Sequence, residues 1–305
     1  MISVVVATYN RAPVLKDMIQ SFYEQTGLQT VPFEFLLVDN NSNDTTSEIA
    51  RLYEGRPGFR YLSEPQQGLS YARNCGIREA KGDIIAFLDD DVIVDSSWLV
   101  QIQRCFDETG AEAVGGRSYL LFETEPPAWL GPDFRLFLSE VNLGDKRCEA
   151  GNGVRLYGLN LAMKREMILK FGGFNQTLGR KGEALLGGEE RALLQKNFAS
   201  GGKNLYEPAA VVKHRIGADR LQWEYFLRLA AGAGRTRALL DAPAGRITQS
   251  LRILETLAKF TLFTVLWIPA AVIMPGRYAP RALYCRHLRH RILLTARMKA
   301  FVHTR

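Results

Sequence analysis

Residues 3–11 read Ser-Val-Val-Val-Ala-Thr-Tyr-Asn-Arg, and residues 87–91 read Phe-Leu-Asp-Asp-Asp, where an apolar run ends abruptly in three carboxylates. In a parallel α/β sheet, ligands bind at the carboxyl ends of the strands. Carboxylates at the spacing of Asp89 and Asp91 can share one hard divalent cation, and that cation can bridge a substrate diphosphate. A solvated acidic turn gives the same local pattern, so the rest of the chain has to decide between these two interpretations.

Strand and helix patterns alternate over the first 115 residues. Strands are expected at 2–7, 33–38, 61–62 and 83–88, and helices at 12–25, 42–53 and 69–80. This alternation predicts a mainly parallel, Rossmann-like sheet flanked by helices. Beyond it, the patterns predict a helix at 95–109, a strand at 112–122, a loop at 125–152, helices at 161–171 and 189–200, and a strand at 209–212.

Positive charge is concentrated at the C-terminal end of the chain. Residues 256–305 contain nine Lys and Arg residues and no Asp or Glu, whereas the preceding residues carry 30 basic and 32 acidic side chains. A basic and apolar segment of this kind is typical of binding to an anionic membrane surface. Nucleic acid is not expected as a partner, because the chain has no reading motif and no set of stacking aromatic residues.

The apolar part of this segment is short for a membrane span. Residues 260–274 carry no charge, but 15 residues of helix cover only about 22 Å of a core about 30 Å thick. Extension to Thr256 would nearly suffice, with a kink at Pro269, but a full crossing would place the basic residues outside, against the positive-inside tendency. We therefore expect peripheral or re-entrant attachment through 256–305. A buried docking helix or a homo-oligomer interface is the alternative.

Cysteine usage and the first residues both favour a cytoplasmic location. Cys75, Cys105, Cys148 and Cys285 are scattered without a CxxC pair, which fits a reducing compartment. A strand that begins at Ile2 leaves no room for a signal peptide. The expected location is the cytoplasmic face of the cell membrane.

Several motifs occur in an order and spacing that are highly specific together. The chain resembles family 2 glycosyltransferases of the GT-A fold over roughly residues 1–235, and this family transfers sugars from nucleotide-diphosphate donors with inversion. The resemblance implies a GT-A domain at 1–240, with a nucleotide-binding half at 1–115 and an acceptor half at 116–240. A helical, membrane-associating tail follows at 241–305. The motifs that carry the resemblance lie at 6–11, 38–44, 68–77, 87–91, 158–163, 172–174, 187–190 and 213–214.

The resemblance assigns a nucleotide-sugar pocket. Asp39 corresponds to the family's aspartate that accepts a hydrogen bond from uracil, although an Asx-turn at the end of the strand is the alternative. Arg73 would pair with the donor, or with the acidic cluster in a purely structural ion pair. The resemblance gives Asp90 the donor ribose as its partner. The other residues assigned to the donor are Ala7, Thr8, Tyr9, Arg11, Asp89 and Asn160.

The resemblance also implies a metal site. Asp89 and Asp91 match the outer positions of the family's DxD motif, and two carboxylates with diphosphate oxygens suit octahedral Mn²⁺ or Mg²⁺. In many family members a histidine about as far beyond the acidic pair as His214 completes the metal shell. A lone histidine at a strand end is otherwise a packed or solvated side chain.

Glu190 is the catalytic base that the resemblance implies, with Glu189 as the second choice. The family usually has Glu-Asp at these positions, so this chain keeps the carboxylate and adds one methylene. The structural alternative is that both residues only stabilise the start of a helix. An inverting displacement needs one base and forms no covalent intermediate.

The function implied is a hexosyltransferase reaction from a nucleotide sugar, by preference a UDP-sugar, to a hydroxyl of a glycan or lipid-linked acceptor. Such a reaction belongs to cell-surface polysaccharide or glycolipid assembly. The chain lacks the Gln-x-x-Arg-Trp motif of processive synthases and has at most one membrane span, so addition of one or a few sugars is expected. The alternatives are a catalytically silent membrane scaffold and a nucleotidyltransferase.

Overall fold

The computed structural model describes residues 1–151, 154–181, 185–241, 245–274 and 277–303. Its strands are β1 (Ile2–Thr8), β2 (Phe33–Asp39), β3 (Phe59–Ser63), β4 (Ile84–Asp89), β5 (Val92–Val94), β6 (Ala113–Phe122), β7 (Cys148–Glu149), β8 (Asn160–Lys164) and β9 (Asn204–Ile216). Its helices are α1 (Ala12–Tyr23), α2 (Thr46–Arg51), α3 (Leu69–Glu79), α4 (Trp98–Thr109), α5 (Pro132–Phe137), α6 (Arg165–Lys170), α7 (Glu189–Ala199), α8 (Trp223–Leu240), α9 (Arg246–Ile273) and α10 (Tyr278–His303).

The chain divides into two compact units whose boundary differs from the predicted one at residue 240. The first unit comprises Met1–Leu121, Ser139–Gly182 and Gly188–Arg215. The second comprises Phe122–Leu138, Glu183–Gly187 and Ile216–Arg305. Helix α8 thus belongs with the tail rather than with the sheet. Helices α8 and α10 pack closely at Gly234, where a Cβ would lie only 2.6 Å from the carbonyl oxygen of Arg289. The absence of a side chain at Gly234 therefore allows the two backbones to approach each other.

The sheet is parallel in its first half and antiparallel in its second. Its order is β3-β2-β1-β4-β8-β6-β9-β5, with β7 paired to β9. Strands β3, β2, β1 and β4 are parallel, and β8 is antiparallel to β4. The predicted α/β class, with a parallel Rossmann-like half, is confirmed. The predicted loop at 125–152 contains two short elements, α5 and β7.

The prediction of a helix over 161–171 is wrong in its first part. Asn160–Lys164 is strand β8, and only Arg165–Lys170 is helical. The segment Leu161-Ala162-Met163 is fully buried between β4 and β6. A strand that is buried on both faces shows no alternation, so periodicity does not distinguish it from a buried helix.

Strand β1 shows why the sheet buries both of its faces. Val4 and Val6 lie in one apolar core with Leu15 of α1, whereas Val5 lies in the other with Ile77 of α3. Helix α3 comes close to the sheet because Gly76 has no side chain, since a Cβ there would lie 2.3 Å from a methyl group of Val5. Such two-sided burial explains the nearly continuous apolar sequence of the strand.

In the second unit, α9 and α10 pack against each other as an antiparallel pair. The ring centroids of Phe260 and His287 are 4.9 Å apart, and those of Trp267 and Tyr284 are 4.7 Å apart. Within the described residues, α9 is the one helix long and apolar enough to cross a membrane. Its most apolar stretch of 18 residues has a mean hydropathy of 1.7, and only 6% of that stretch is buried. The helix begins at Arg246, ten residues before the predicted extension.

Asn160 holds together the strands that follow the parallel half of the sheet. Its amide nitrogen donates to the carbonyl oxygens of Arg117 and Ala210, at 2.9 Å each. Its amide oxygen accepts a hydrogen bond of 2.8 Å from the indole nitrogen of Trp98. Gly116 makes room for this amide, because a Cβ there would lie 2.2 Å from the Asn160 nitrogen. Asn160 therefore joins β6, β9 and α4.

We predict that Asn160→Ala lowers the free energy of unfolding by about 3 kcal/mol, because it leaves buried hydrogen-bonding groups of Trp98, Arg117 and Ala210 unpaired. Urea unfolding followed by circular dichroism measures this loss. Asn142→Ala, at an exposed position, is the matched control and should change stability by less than about 0.5 kcal/mol. An equal, small effect of both substitutions would contradict the prediction.

Candidate functional site

Several predicted site residues of the first unit lie at the carboxyl ends of three neighbouring strands, β2, β1 and β4. Thr8 at the end of β1 pairs in register with Asp39 at the end of β2. Ala7 pairs on its other side with Asp89 at the end of β4. From β1 the chain adds β2 and β3 on one side and then β4 on the other, and α/β sheets open a crevice for ligands where the strand order reverses in this way.

The loops after β1 and β2 are bound to each other through Asn10. Its backbone N–H donates to Oγ of Ser42 over 3.0 Å, and its side-chain oxygen accepts from the N–H of Asn43 over 2.9 Å. Asn10 has a φ of 52°, a left-handed conformation that asparagine tolerates better than most residues. The N–H of Ala12 donates to Asp44, 3.2 Å away. These bonds fix the backbone beside Asp39.

Asp39 is buried, and each of its carboxylate oxygens accepts one hydrogen bond. The donors are the N–H of Ser42 at 2.9 Å and the hydroxyl of Tyr61 at 2.6 Å. The bond to Ser42 is the turn interaction that the sequence offered as the alternative, and a carboxylate oxygen can accept a further donor beside it. Burial and the bond to Asp39 raise the pKa of Tyr61 above its usual value.

Sequence reasoning did not include Tyr61 in the site. The signal that could have found it is the parallel register of β2 and β3, in which Asp39 pairs with Ser63. Residues two apart on a strand point to the same face, so Tyr61 lies on the face of β3 that carries Ser63.

Arg11 faces the acidic cluster after β4. Its guanidinium lies 3.2 Å from Oδ2 of Asp91 and 3.9 Å from Oδ1 of Asp90. Burial and the neighbouring charge of Asp91 raise the pKa of Asp90 to about 7, although Arg11 opposes this shift. The two buried carboxylates outnumber the one partly exposed guanidinium, so the site is electronegative when both are ionised. Because like charges disfavour joint ionisation, one of the two carboxyl groups holds its proton to a higher pH.

His214 reaches this cluster from a distant part of the chain. It pairs in register with Val92, because β9 lies antiparallel to β5. The side chains of His214 and Asp91 are both buried, and Nε2 of His214 lies 3.3 Å from Oδ1 of Asp91. The structure thus brings together the histidine and the carboxylate that the sequence pattern assigned to one metal ion.

The donor set fits a divalent cation in part. Asp91 and His214 supply an oxygen and a nitrogen side by side, which suits Mn²⁺ or Mg²⁺ with oxygen ligands added. Over the described ranges, however, no group of three His, Cys, Asp or Glu residues is arranged to hold a metal ion. Oδ1 of Asp89, the predicted third ligand, accepts a hydrogen bond from Arg73. A cation at this point would therefore need oxygen atoms from a substrate.

Arg73 is a buried cation that joins two acidic segments. Its guanidinium donates to Asp89 over 2.9 Å and to Glu189 over 2.8 Å. Gly158 lies directly against it, since a Cβ at that residue would be 2.4 Å from a guanidinium nitrogen. The ring of Phe174 lies 5.6 Å from the guanidinium carbon. The structural ion pair that the sequence offered for Arg73 is present.

Glu189 and Glu190 form the first turn of α7, after Gly188 in a left-handed conformation with φ of 87°. Both side chains are buried. Burial and the charge of Glu189 raise the pKa of Glu190 to about 8, and Arg73 opposes the shift. Oε2 of Glu190 is buried and has no hydrogen-bond partner among the described residues. A buried carboxylate with a free oxygen and a raised pKa can accept a proton near neutral pH.

Three residues predicted to bind the nucleotide sugar, Ala7, Tyr9 and Asn160, differ in how accessible their side chains are. Tyr9 is 41% exposed beside the buried Thr8, whereas Ala7 is half-buried within β1. The amide groups of Asn160 are engaged by three protein partners, so this residue has a place in the framework.

Comparison with known proteins supports the resemblance seen in the motifs. The family model described as glycosyl transferase family 2 matches residues 3–171. The chain is 24% identical over 247 residues to a glucosyl-dolichyl phosphate glucuronosyltransferase of Haloferax volcanii, which covers 79% of this chain and 77% of that protein. It is 27% identical over 293 residues to the succinoglycan biosynthesis protein ExoM of Rhizobium meliloti, which covers 92% and 89%, respectively.

Solved structures show the same fold. A mannosyltransferase from Pyrobaculum calidifontis, in complex with GDP-mannose and Mn²⁺, superposes with a TM-score of 0.64 at 19% identity, over 99% of this chain and 87% of that one. Residues 1–349 of TarS from S. aureus, in complex with UDP, superpose with a TM-score of 0.56 at 14% identity, over 98% and 90%. At these identities the likeness establishes the fold.

We predict that Glu190→Gln stabilises the protein increasingly as the pH rises from 5 to 8. The unfolded chain releases the Glu190 proton near pH 4.5, whereas the folded chain holds it up to a pKa of about 8. The native carboxyl therefore contributes less to stability at each higher pH in this window, and glutamine removes that dependence.

Urea unfolding at pH 5, 6.5 and 8 measures the difference between variant and parent. Glu54→Gln, at an exposed glutamate, is the control and should leave the pH dependence unchanged. Parallel pH curves for Glu190→Gln and the parent chain would refute the assignment of the raised pKa to Glu190.

Proposed function

The chain belongs to glycosyl transferase family 2, and from that premise we propose that it transfers a sugar from a UDP-sugar to a hydroxyl of a glycan or lipid-linked acceptor, with inversion. That it is a glycosyltransferase that uses nucleotide sugars follows from its family and relatives. The observation that carries the finer proposal is the Arg73 bridge. This guanidinium joins the acidic cluster after β4 to the buried carboxylates at the start of α7.

The nucleoside would bind beside Asp39. The loops bound together through Asn10 and Ser42 hold this edge of the sheet, and the carboxylate of Asp39 has lone pairs left to accept a base N–H. Uracil presents one such N–H, and the resemblance to family members in which an aspartate at this position binds uracil supports UDP as the nucleotide. Ala7, Thr8 and the exposed ring of Tyr9 would line the pocket next to the base.

Asp91 and His214 would hold a divalent cation, with Asp89 and the donor diphosphate completing the ligands. When bound, the metal would neutralise the charge of the departing nucleoside diphosphate. Arg11 and Arg73 are the protein's own cations at this point. Arg11 already pairs with Asp91 and Asp90, and Arg73 pairs with Asp89. Asp90, buried between the two outer aspartates, would accept a hydrogen bond from the ribose.

Glu190 would act as the base. Its Oε2, which is buried and lacks a hydrogen-bond partner among the described residues, would take the proton of the acceptor hydroxyl as that oxygen attacks the anomeric carbon. A pKa of about 8 lies close to physiological pH, where a base has both a useful ionised fraction and a sufficient affinity for the proton. One such carboxylate is enough for a single displacement with inversion.

The acceptor belongs to glycan or glycolipid assembly in this proposal. The names of two relatives, a glucosyl-dolichyl phosphate glucuronosyltransferase and a succinoglycan biosynthesis protein, support a lipid-linked or polysaccharide acceptor. Transfer of single sugars without processive extension is consistent with one apolar helix, α9, of sufficient length in the described chain.

Membrane attachment would use the apolar side of α9. Its exposed aliphatic residues run the whole length of the helix. Helix α10, which packs against it, carries six of the nine Lys and Arg residues at 256–305. This combination suits an interfacial helix on anionic lipid, and we place it on the cytoplasmic leaflet. The exposed aliphatic residues of α9 are Ile247, Leu251, Leu254, Leu257, Leu262, Val265, Leu266, Ile268, Val272 and Ile273.

We predict that some single substitutions weaken binding of UDP, whereas another lowers the turnover number without changing that affinity. Asp91→Asn and His214→Ala should weaken UDP binding in the presence of Mn²⁺ by at least about 10-fold, because each removes a metal ligand. Glu190→Gln should keep that affinity and lower the turnover number by about 1000-fold, because it removes only the base. Calorimetric titration with UDP and GDP, with and without Mn²⁺, measures the first effect, and UDP release from a panel of UDP-sugars measures the second.

Three results would change this proposal. Tighter binding of GDP than of UDP would overturn the choice of nucleotide. Wild-type turnover in Glu190→Gln would transfer the base role to Glu189, which Glu189→Gln then tests. The absence of nucleotide binding to folded protein would favour a catalytically silent scaffold.

We predict that the full chain sediments with vesicles of phosphatidylglycerol and phosphatidylcholine, and that Val265→Glu with Val272→Glu weakens this binding by about 10-fold, because it places charges on the apolar face. Leu52→Glu, at a leucine 65% exposed in the first unit, is the matched control. Equal sedimentation of both variants with the parent chain would argue against attachment through α9.

A further inference from the structure

The second unit contains a cavity of about 390 Å³ that shares no residue with the proposed catalytic site. Its size falls within the range of small-ligand pockets, which is about 300–1,000 Å³. It lies among the segment before α5, the start of α8 and the first turn of α10. The lining residues are Thr124, Glu125, Pro127, Trp129, Ala218, Leu221, Gln222, Trp223, Glu224 and Arg281.

Two half-buried indoles form the apolar part of the wall. The rings of Trp129 and Trp223 meet edge to face, with centroids 5.7 Å apart. Phe226 packs against Trp129 at 5.3 Å, and Phe134 packs against it at 5.4 Å. Because the aromatic rings hold one another in place, the indoles meet a ligand with little loss of side-chain entropy.

Arg281 supplies the positively charged hydrogen-bond donors of the cavity. Its guanidinium carbon lies 4.7 Å from the ring centroid of Trp129 and 5.1 Å from that of Trp223. Cation–π contact of this kind fixes the planar group in position. Within the described ranges the contacts of the Arg281 guanidinium are these two rings, so its N–H groups remain available to a ligand.

Glu125 and Glu224 supply the acceptors. Both carboxylates are exposed, and neither forms an ion pair within the part of the chain that the structure describes. With Arg281 they give the lining two negative charges and one positive charge. This balance disfavours a phosphate or another anion, whereas a neutral ligand with several hydroxyl groups can donate to the carboxylates and accept from the guanidinium.

We propose that this cavity binds a sugar ring of the acceptor glycan, an inference that rests on the proposed glycosyltransferase function and narrows its acceptor to an uncharged saccharide. The face of a pyranose that carries axial C–H groups packs on an indole, while its hydroxyls bond to Arg281, Glu125 and Glu224. The second unit thereby selects acceptors by their sugar rather than by their lipid. Binding here requires neither the donor nor a metal ion.

The test is calorimetric titration of the full chain with four uncharged disaccharides: cellobiose, lactose, maltose and N,N′-diacetylchitobiose. We expect saturable binding of at least one of them. The double variant Glu125→Gln with Glu224→Gln should weaken that binding by at least 10-fold, because hydrogen bonds to charged groups are the stronger ones. Glu54→Gln is the matched control, and Arg281→Lys is a second variant that keeps the charge but loses the planar donors.

Titration with UDP and Mn²⁺ in the same samples separates this inference from the proposed function. If nucleotide binding is intact and no disaccharide binds, the saccharide site is refuted and the transferase function stands. If nucleotide binding also fails, the proposed function fails with it. A third outcome is that no disaccharide binds but inorganic pyrophosphate does, and that Arg281→Lys or Arg281→Gln weakens this binding. The cavity would then be an anion site, which overturns the proposal.

Discussion

The buried guanidinium of Arg73 is the interaction on which the arrangement of the site depends. It joins Asp89 at the end of β4 to Glu189 at the start of α7, two segments that are far apart in sequence. A buried charge is tolerated only when it is paired and hydrogen-bonded, and loss of one partner of such a pair typically costs about 3–5 kcal/mol. The fold therefore cannot move the acidic cluster away from the carboxylates of α7 without leaving a charge unpaired.

The same region carries more negative than positive charge. Asp89, Asp90 and Asp91 face Arg11 and Arg73, and the two glutamates of α7 add further carboxylates. Burial, and after it the charge of a neighbouring carboxylate, raises the pKa values of Asp90 and Glu190 to about 7 and about 8, so that bound protons offset part of this excess. A cation that arrived with a diphosphate would relieve the repulsion, so electrostatics favours binding of the two together.

Local sequence patterns predicted the parallel half of the sheet well, because β1, β2 and β4 are buried runs bounded by clear turn residues. They failed at β8, since Leu161-Ala162-Met163 is buried between two strands and shows no alternation. They also missed Tyr61, whose partner Asp39 lies far away in the sequence. Asn160 was assigned to the donor from its motif, but its environment comes from three strand and helix contacts that no local pattern encodes.

The geometry also separates the two glutamates that the sequence left as alternatives for the base. Oε1 of Glu189 accepts a hydrogen bond of 2.8 Å from Arg73, so protonation of Glu189 would break an ion pair with a buried cation. Glu190 makes no such pair, and burial next to Glu189 raises its pKa. A base must take up a proton without disrupting its surroundings, and a carboxylate whose pKa lies near neutral pH and which holds no buried ion pair would meet that condition. In the proposed reaction Glu189 would act through its neighbour, because its carboxylate, held by Arg73, lies beside Glu190 and raises the pKa of Glu190.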